Sequence, residues 1–225
     1  KVKKYTLRRV ALVKLGWFRG NIPDIRLRFF KTLGRLGIRA RDVSDVPPVN
    51  LSVTRRESAA AREKYLPDQR ESRPLIAIHP GSKWDMKKWG DERYAELAEV
   101  LIAEGNRVIA FERGDADWPR EAIFVEGTSI RELLALIEKA DLFIGNDSGP
   151  LHIAEALDTP ALGIFGPTHP DLGYAPSGES SKVLGVDLKC RPCTLYGRGD
   201  CRRGDFECMK GISVPDAAEA AKKLL

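Results

Sequence analysis

The chain has 225 residues, 43 % of them hydrophobic and 31 % charged, the balance of a globular protein long enough to bury a real core. No apolar run reaches the roughly 18 residues of a spanning helix, and no apolar signal core follows the basic start, which gives a cytoplasmic reading. The net charge of +5 is uneven, because residues 1–41 carry thirteen Lys and Arg against one acid, Asp24. Such a block suits an anionic partner (a phosphorylated glycolipid, a membrane surface, nucleic acid) or is a solvated face, and both readings stay open here.

In chain order, Val10-Ala11-Leu12-Val13 is expected as a short strand. Across 23–37 the apolar residues Ile25, Leu27, Phe29, Phe30, Leu33 and Leu36 predict a basic amphipathic helix that stops at Gly37. Residues 38–54 read as extended, 58–65 as helix and 67–74 as a polar linker, dividing the chain into a 1–73 segment and a 74–225 domain. Beyond the linker, strands are expected at 75–78, 107–111, 123–125, 141–145 and 161–165. Helices run from Asp91 to about Ala103, from Ser129 through Lys139, and onward from Ser148. Strands alternating with helices predict an α/β fold, a Rossmann-like parallel sheet with helices on both faces, preceded by a short, mostly helical N-terminal segment.

The stretch that organises this pattern is Gly145-Asn146-Asp147-Ser148-Gly149-Pro150-Leu151-His152, where a strand ends and a helix begins. Asp147 and Ser148 suit an N-cap, Gly149 permits close approach, and Pro150 suits a first helical turn. Free N–H groups and the positive end of the helix dipole make this a natural diphosphate site, against the bland reading of a well-capped helix. The loop His79-Pro80-Gly81-Ser82 through Gly90 leaves the first strand toward the same edge. Ser82 is placed to hold phosphate oxygens and Lys87 or Lys88 to supply charge. Trp84 or Trp89 either stacks on a base or wedges the loop, with the structural role favoured for Trp89. Glu112, Asp115 and Asp117 follow the second strand, where a carboxylate can accept from ribose hydroxyls or merely be solvated. His152, one turn into the helix, is either a donor to a ligand oxygen or structural.

Taken in order, HPGS with its following lysine and tryptophan, GNDSGPLHIAEAL and FGPTHP resemble the carboxyl-terminal half of the ADP-heptose:lipopolysaccharide heptosyltransferases, over roughly residues 74 to 225. That resemblance implies a GT-B carboxyl-terminal domain that binds the nucleotide-sugar donor, ADP-heptose, for inverting, metal-independent transfer to a lipopolysaccharide core sugar or another anionic glycolipid. Carried over by motif, Lys87 would contact the donor phosphates and Asp147 the heptose hydroxyls. Ser148 and Gly149 would lie at the diphosphate, with Ser82, His152 and Thr168 in the pocket, His169 near it and Asp115 as a loose match to the ribose acid. Members of the family begin with an acceptor domain carrying an aspartate base. Residues 1–73 resemble only the tail of that domain, and no base is identified. The other reading is a non-catalytic nucleotide-sugar-binding module acting with a partner chain. Peripheral contact with the inner membrane fits the basic segment, whereas a nucleic-acid partner would leave GNDSGPLH without a role.

All four cysteines fall in one stretch, Cys190 and Cys193 as CRPC, then Cys201 and Cys208. Such clustering favours a closed structural Zn or Fe site over a disulfide framework, with free or redox-labile thiols as the alternative. Similar cysteine loops in relatives imply the same. Arg191, Arg198, Arg202 and Arg203 in this loop are expected to meet an anionic acceptor.

Overall fold

The computed structural model describes residues 6–17, 19–20, 22–66, 72–176, 178 and 180–225. Six strands, β1 (Leu75–His79), β2 (Arg107–Phe111), β3 (Ile123–Val125), β4 (Leu142–Asn146), β5 (Ala161–Ile164) and β6 (Ser181–Leu184), form a single parallel sheet in the order β3-β2-β1-β4-β5-β6. The helices are α1 (Leu7–Leu15), α2 (Ile25–Phe30), α3 (Arg55–Tyr65), α4 (Asp91–Ala103), α5 (Ile130–Lys139), α6 (Gly149–Ala156), α7 (Glu207–Lys210) and α8 (Val214–Lys222). The α/β expectation therefore holds, with one more strand than the periodicity predicted.

Successive strand residues point to opposite faces, and each face has its own core. Ile76, Ile78, Val108 and Ile144 pack with Leu97 and Leu101 of α4 and Ala217 and Ala221 of α8. Ala77, Ile109 and Phe143 pack on the other side with Leu136 of α5, Leu151 of α6 and Ala61 of α3. Burial on both faces explains why these strands read as continuous apolar runs. Helix α5 starts on a capping box in which Ser129 and Glu132 each satisfy the other's backbone N–H, and Thr54 and Glu57 do the same for α3.

The N-terminal segment departs from expectation. Residues 10–13 lie within α1 rather than a strand, because the Thr6 side chain caps Arg9 N–H and Gly16, at φ 68°, closes the other end. The helix expected across 23–37 is α2 followed by a 3-10 turn over Lys31–Leu36, still ending at Gly37. Helix α4 is capped by the Gly90 backbone, with Asp91 as its first residue rather than its cap. Part of the predicted linker, 67–71, lies outside the described residues.

This segment lies against the sheet domain. Ile25 N–H donates to the Gly173 carbonyl at 2.9 Å and Leu51 N–H to that of Ala156 at 2.7 Å. Exposed ion pairs, Arg131–Glu57 at 2.6 Å and Lys64–Glu132 at 2.8 Å, join α3 to α5. These partners draw both carboxyls down to about 2.

The chain winds outward from β1 to β3, then crosses back so that β4 pairs with the other side of β1. The strand order reverses between β1 and β4, whose carboxyl ends lie side by side with His79 opposite Gly145. Doubly wound sheets bind ligands at such a switch point.

Candidate functional site

Asn146, fully buried at the end of β4, ties this crevice together. Its amide donates to the Pro80 carbonyl at 2.6 Å, and its oxygen accepts from Trp89 N–H at 3.2 Å and the Tyr94 hydroxyl at 3.0 Å. One side chain thus pins both ends of the loop between β1 and α4 to the strand that carries Asp147. Trp89 is structural: it is buried edge-on to Tyr94, and its indole N–H donates to the Ile212 carbonyl at 3.0 Å.

Lys87, held by that loop, reaches Asp147. Its ammonium lies 2.7 Å from Asp147 Oδ2 and donates to the Asp147 carbonyl at 3.0 Å. The Thr168 hydroxyl, from the turn after β5, donates to the same Oδ2 at 2.7 Å. Three loops therefore converge on one carboxylate. Ser148 occupies the N-cap of α6, yet its side chain makes no cap hydrogen bond, and its buried hydroxyl has no partner among the described residues. A Cβ on Gly149 would meet open space, which leaves room above the helix N-terminus.

Lys87, Asp147, Ser148, Gly149, His152, Thr168 and His169 line one cavity of about 180 Å³. His169 Nδ1 accepts the Asp171 N–H at 3.2 Å and lies 3.3 Å from the Asp171 carboxylate. Burial also pushes the imidazole below its ordinary value.

Ser82 and Asp115 are not among the residues lining this cavity, and Asp115 is exposed. Glu112, likewise exposed and outside that lining, is the β2-loop acid whose carboxylate lies against Gly81. Its backbone is left-handed at φ 66°, and a Cβ added to Gly81 would collide with its carboxylate. Glu112 also faces His79, whose imidazole burial pushes down and whose buried Nδ1 has no partner among the described residues.

The cysteine loop forms a further wall, which its composition did not suggest. Leu195 and Tyr196 line the same cavity as Lys87. Gly197, at φ 85°, packs so closely on the Lys87 stem that a Cβ would lie 2.7 Å from Lys87 Cγ. The Arg198 guanidinium sits 4.4 Å from the centroid of Trp84. Arg191 corrects the expectation of an arginine facing an anionic acceptor, since it is buried. It donates to the carbonyls of Phe165 at 2.7 Å, Gly166 at 2.5 Å, Thr168 at 3.1 Å and also Val186. It gathers the turn that presents Thr168. All four cysteines line a neighbouring cavity of about 270 Å³, yet no three His, Cys, Asp or Glu side chains among the described residues are arranged to hold a metal.

Residues 36–198 match the sequence model of glycosyltransferase family 9 (heptosyltransferase). Lipooligosaccharide heptosyltransferase 2 of Haemophilus influenzae is 36 % identical over 170 residues, covering 68 % of this chain and 48 % of that protein. The family 9 glycosyl transferase of Veillonella parvula aligns with a TM-score of 0.73 at 19 % identity, over 100 % of this chain and 61 % of its own. The dodecameric iron-containing heptosyltransferase TibC of enterotoxigenic E. coli, in complex with ADP-D-beta-D-heptose, aligns with a TM-score of 0.55 at 23 % identity, over 68 % of this chain and 46 % of its own. The chain spans about half the length of the curated relatives it matches. Both structural likenesses, at under a quarter identity, speak for the fold alone, and the sequence match speaks for descent. The chain belongs to glycosyltransferase family 9, the heptosyltransferases.

Proposed function

We propose that this chain is the donor-binding half of a heptosyltransferase and that its switch-point cavity holds the diphosphate and sugar of ADP-heptose. The observation that carries this is the convergence of Lys87 and Thr168 on Asp147 beneath the open N-terminus of α6. Lys87 has three N–H donors, two of which face Asp147, and the third is free to meet a phosphate oxygen. The Ser148 hydroxyl and the first N–H groups of α6 add neutral donors at the positive end of the helix. Asp147 Oδ2 is taken by Lys87 and Thr168, so Oδ1 is the oxygen for a sugar hydroxyl. Glu112, rather than Asp115, takes the ribose.

Transfer is an inverting displacement at the anomeric carbon: the acceptor oxygen bonds to that carbon as its bond to the diphosphate oxygen breaks. Charge develops on the departing diphosphate, where Lys87 and the α6 dipole act as a fixed electrostatic cradle. The acceptor is a lipopolysaccharide core sugar, a reading supported by the similarity to lipopolysaccharide and lipooligosaccharide heptosyltransferases. Its hydroxyl proton needs a base, and that role is assigned to no residue of this cavity. Such a base is typically worth 10²–10⁴-fold and belongs to the acceptor-side domain, of which residues 1–73 are the tail.

The cysteine loop is a structural element of this site. Four thiols around one cavity are a donor set chemically suited to Zn or Fe, and TibC is described as iron-containing. A metal there would brace the loop that carries Leu195, Tyr196 and Gly197, with no step of the transfer assigned to it. Metal analysis of the purified chain tests this. No helix among the described residues is long and apolar enough to cross a membrane, and peripheral contact through the basic segment fits a glycolipid acceptor. Calorimetric titration with ADP, UDP and GDP tests the donor reading, which requires ADP to bind in preference.

A further inference from the structure

Two groups from different strands share the space above Gly81. His79 ends β1 at the switch point, opposite Gly145 of β4, and its ring is stacked on Phe111 with centroids 6.1 Å apart. Glu112 follows Phe111 directly, with its backbone left-handed at φ 66°. A Cβ built on Gly81 would collide with the Glu112 carboxylate and lie 2.9 Å from His79 Cε1. The glycine therefore leaves the gap in which carboxylate and imidazole meet.

The His79 ring is unfinished as a hydrogen-bonding group. Its Nδ1 is buried and has no partner among the described residues. Burial pushes the imidazole below its ordinary value, against the pull of Glu112, so the ring is neutral near pH 7. Protonation makes both ring nitrogens donors, and the carboxylate beside them is that of Glu112.

The other charges facing this pair come from the loop after β1 and from α4. Lys88 acts on Glu112 and Asp91 and is paired with Asp85 at 2.8 Å, so it is shared among three carboxylates. The Asp91 carboxylate lies against Gly114. From the neighbouring strands the uncharged Gly145 and the Phe111 ring face His79.

We propose that His79 determines how strongly the site reads the ribose of its donor. The neutral ring leaves Glu112 to the ribose hydroxyls, and the protonated ring draws the same carboxylate onto itself. His79 is thus a positioning residue that acts through Glu112, and the inference rests on the reading of Glu112 as the ribose acid. Preference for a ribose bearing its hydroxyls is complete while His79 is neutral and is lost as pH falls through its titration.

The test uses the full 225-residue chain with two probes, ADP and 2′,3′-dideoxy-ADP. Their phosphates titrate alike, so the ratio of their affinities isolates the ribose hydroxyls. From about pH 8 to about pH 5 the preference for ADP should fall from about tenfold toward none. In His79→Gln, whose side chain is always neutral, it should stay near tenfold throughout. NMR titration of the wild type gives a second reading, with three histidines to assign, His79, His152 and His169. A tenfold coupling corresponds to about one pH unit, so ADP should lower the His79 midpoint by about that much and dideoxy-ADP should not. In the free chain, Glu112→Gln should lower the same midpoint by removing the carboxylate that supports the charged ring.

A preference for ADP that is constant with pH, or that changes equally in His79→Gln, would overturn the inference and leave Glu112 at the ribose. Equal affinity for both probes at every pH would overturn the ribose reading and the inference with it. An unmoved His79 midpoint in Glu112→Gln would overturn the inference whether or not the chain binds nucleotide.

Discussion

Lys87 and Asp147 meet twice, side chain to side chain at 2.7 Å and side chain to backbone at 3.0 Å. The residues come from loops after β1 and β4, so the contact bridges the point where the strand order reverses. Lys87→Met keeps the stem packed under Gly197 but removes the charge. It should abolish measurable ADP binding and, by leaving a mostly buried carboxylate with Thr168 alone, cost about 1–3 kcal/mol in urea denaturation. Wild-type ADP affinity in that variant would remove Lys87 from the site.

Asn146 shows why this contact is so well defined. Asn146→Leu has nearly the same size but loses a donor to Pro80 and an acceptor for Trp89 and Tyr94. Each buried group left unmatched costs about 1–3 kcal/mol, so a loss of about 3 kcal/mol is expected in denaturant midpoints. ADP binding should weaken further than stability alone explains, because Lys87 rides on the loop that Asn146 holds.

Much of this arrangement was legible in the sequence. The alternation of apolar runs with capped helices located five of six strands, and GNDSGPLH, HPGS and FGPTHP located the residues that converge: Lys87, Asp147, Ser148, Gly149, His152, Thr168 and His169. What escaped depended on distant contacts. Residues 10–13 have the composition of a strand, but a Thr cap and the burial of Arg9 and Leu12 make a helix. The edge strand β6 is only partly buried, so its apolar signal is weak. Glu112 was weighed with its loop neighbours, and only its left-handed turn toward Gly81 separates it from Asp115. Arg191 read as surface charge because no local pattern reveals that four carbonyls await it. The SVPD start of α8 was a readable helix signal, with Ser213 capping Asp216 N–H.

Arg191 supplies a test of the cysteine loop's structural role. Arg191→Lys retains charge but cannot reach several carbonyls at once with one compact ammonium. The variant should be destabilised by about 1–3 kcal/mol, the range for a buried group left unmatched, and should loosen Thr168. Amide hydrogen exchange across 165–168 should rise several-fold, while exchange in β2 should stay as in the wild type.

The two candidate ribose acids separate by ligand choice. Glu112→Gln should lower affinity for ADP about tenfold, the loss of one charged hydrogen bond, yet scarcely alter affinity for 2′,3′-dideoxy-ADP. Asp115→Asn should change neither. The reverse pattern would return the role to Asp115.

The Cys208 thiol makes stability depend on pH. Burial, then the neighbouring Cys193, pushes the Cys208 thiol up from 9.0 to about 11. The folded state therefore favours the protonated form. This contribution to stability is complete below pH 9 and is lost as pH rises through about 11. At pH 8 without metal, iodoacetamide should modify exposed Cys190 first and buried Cys208 last, as read by mass spectrometry. Protection of all four that vanishes with a chelator would instead reveal a bound metal.

We propose that the crevice between β1 and β4 binds the nucleotide of an ADP-sugar. The most direct test is a thermal-denaturation titration of the chain with ADP, UDP and GDP, repeated on Asp147→Asn. ADP at 100 times its dissociation constant should stabilise the wild type by about 2.7 kcal/mol, with less from UDP and GDP and little from any nucleotide in the variant. No stabilisation by ADP, or equal stabilisation of wild type and variant, would contradict it.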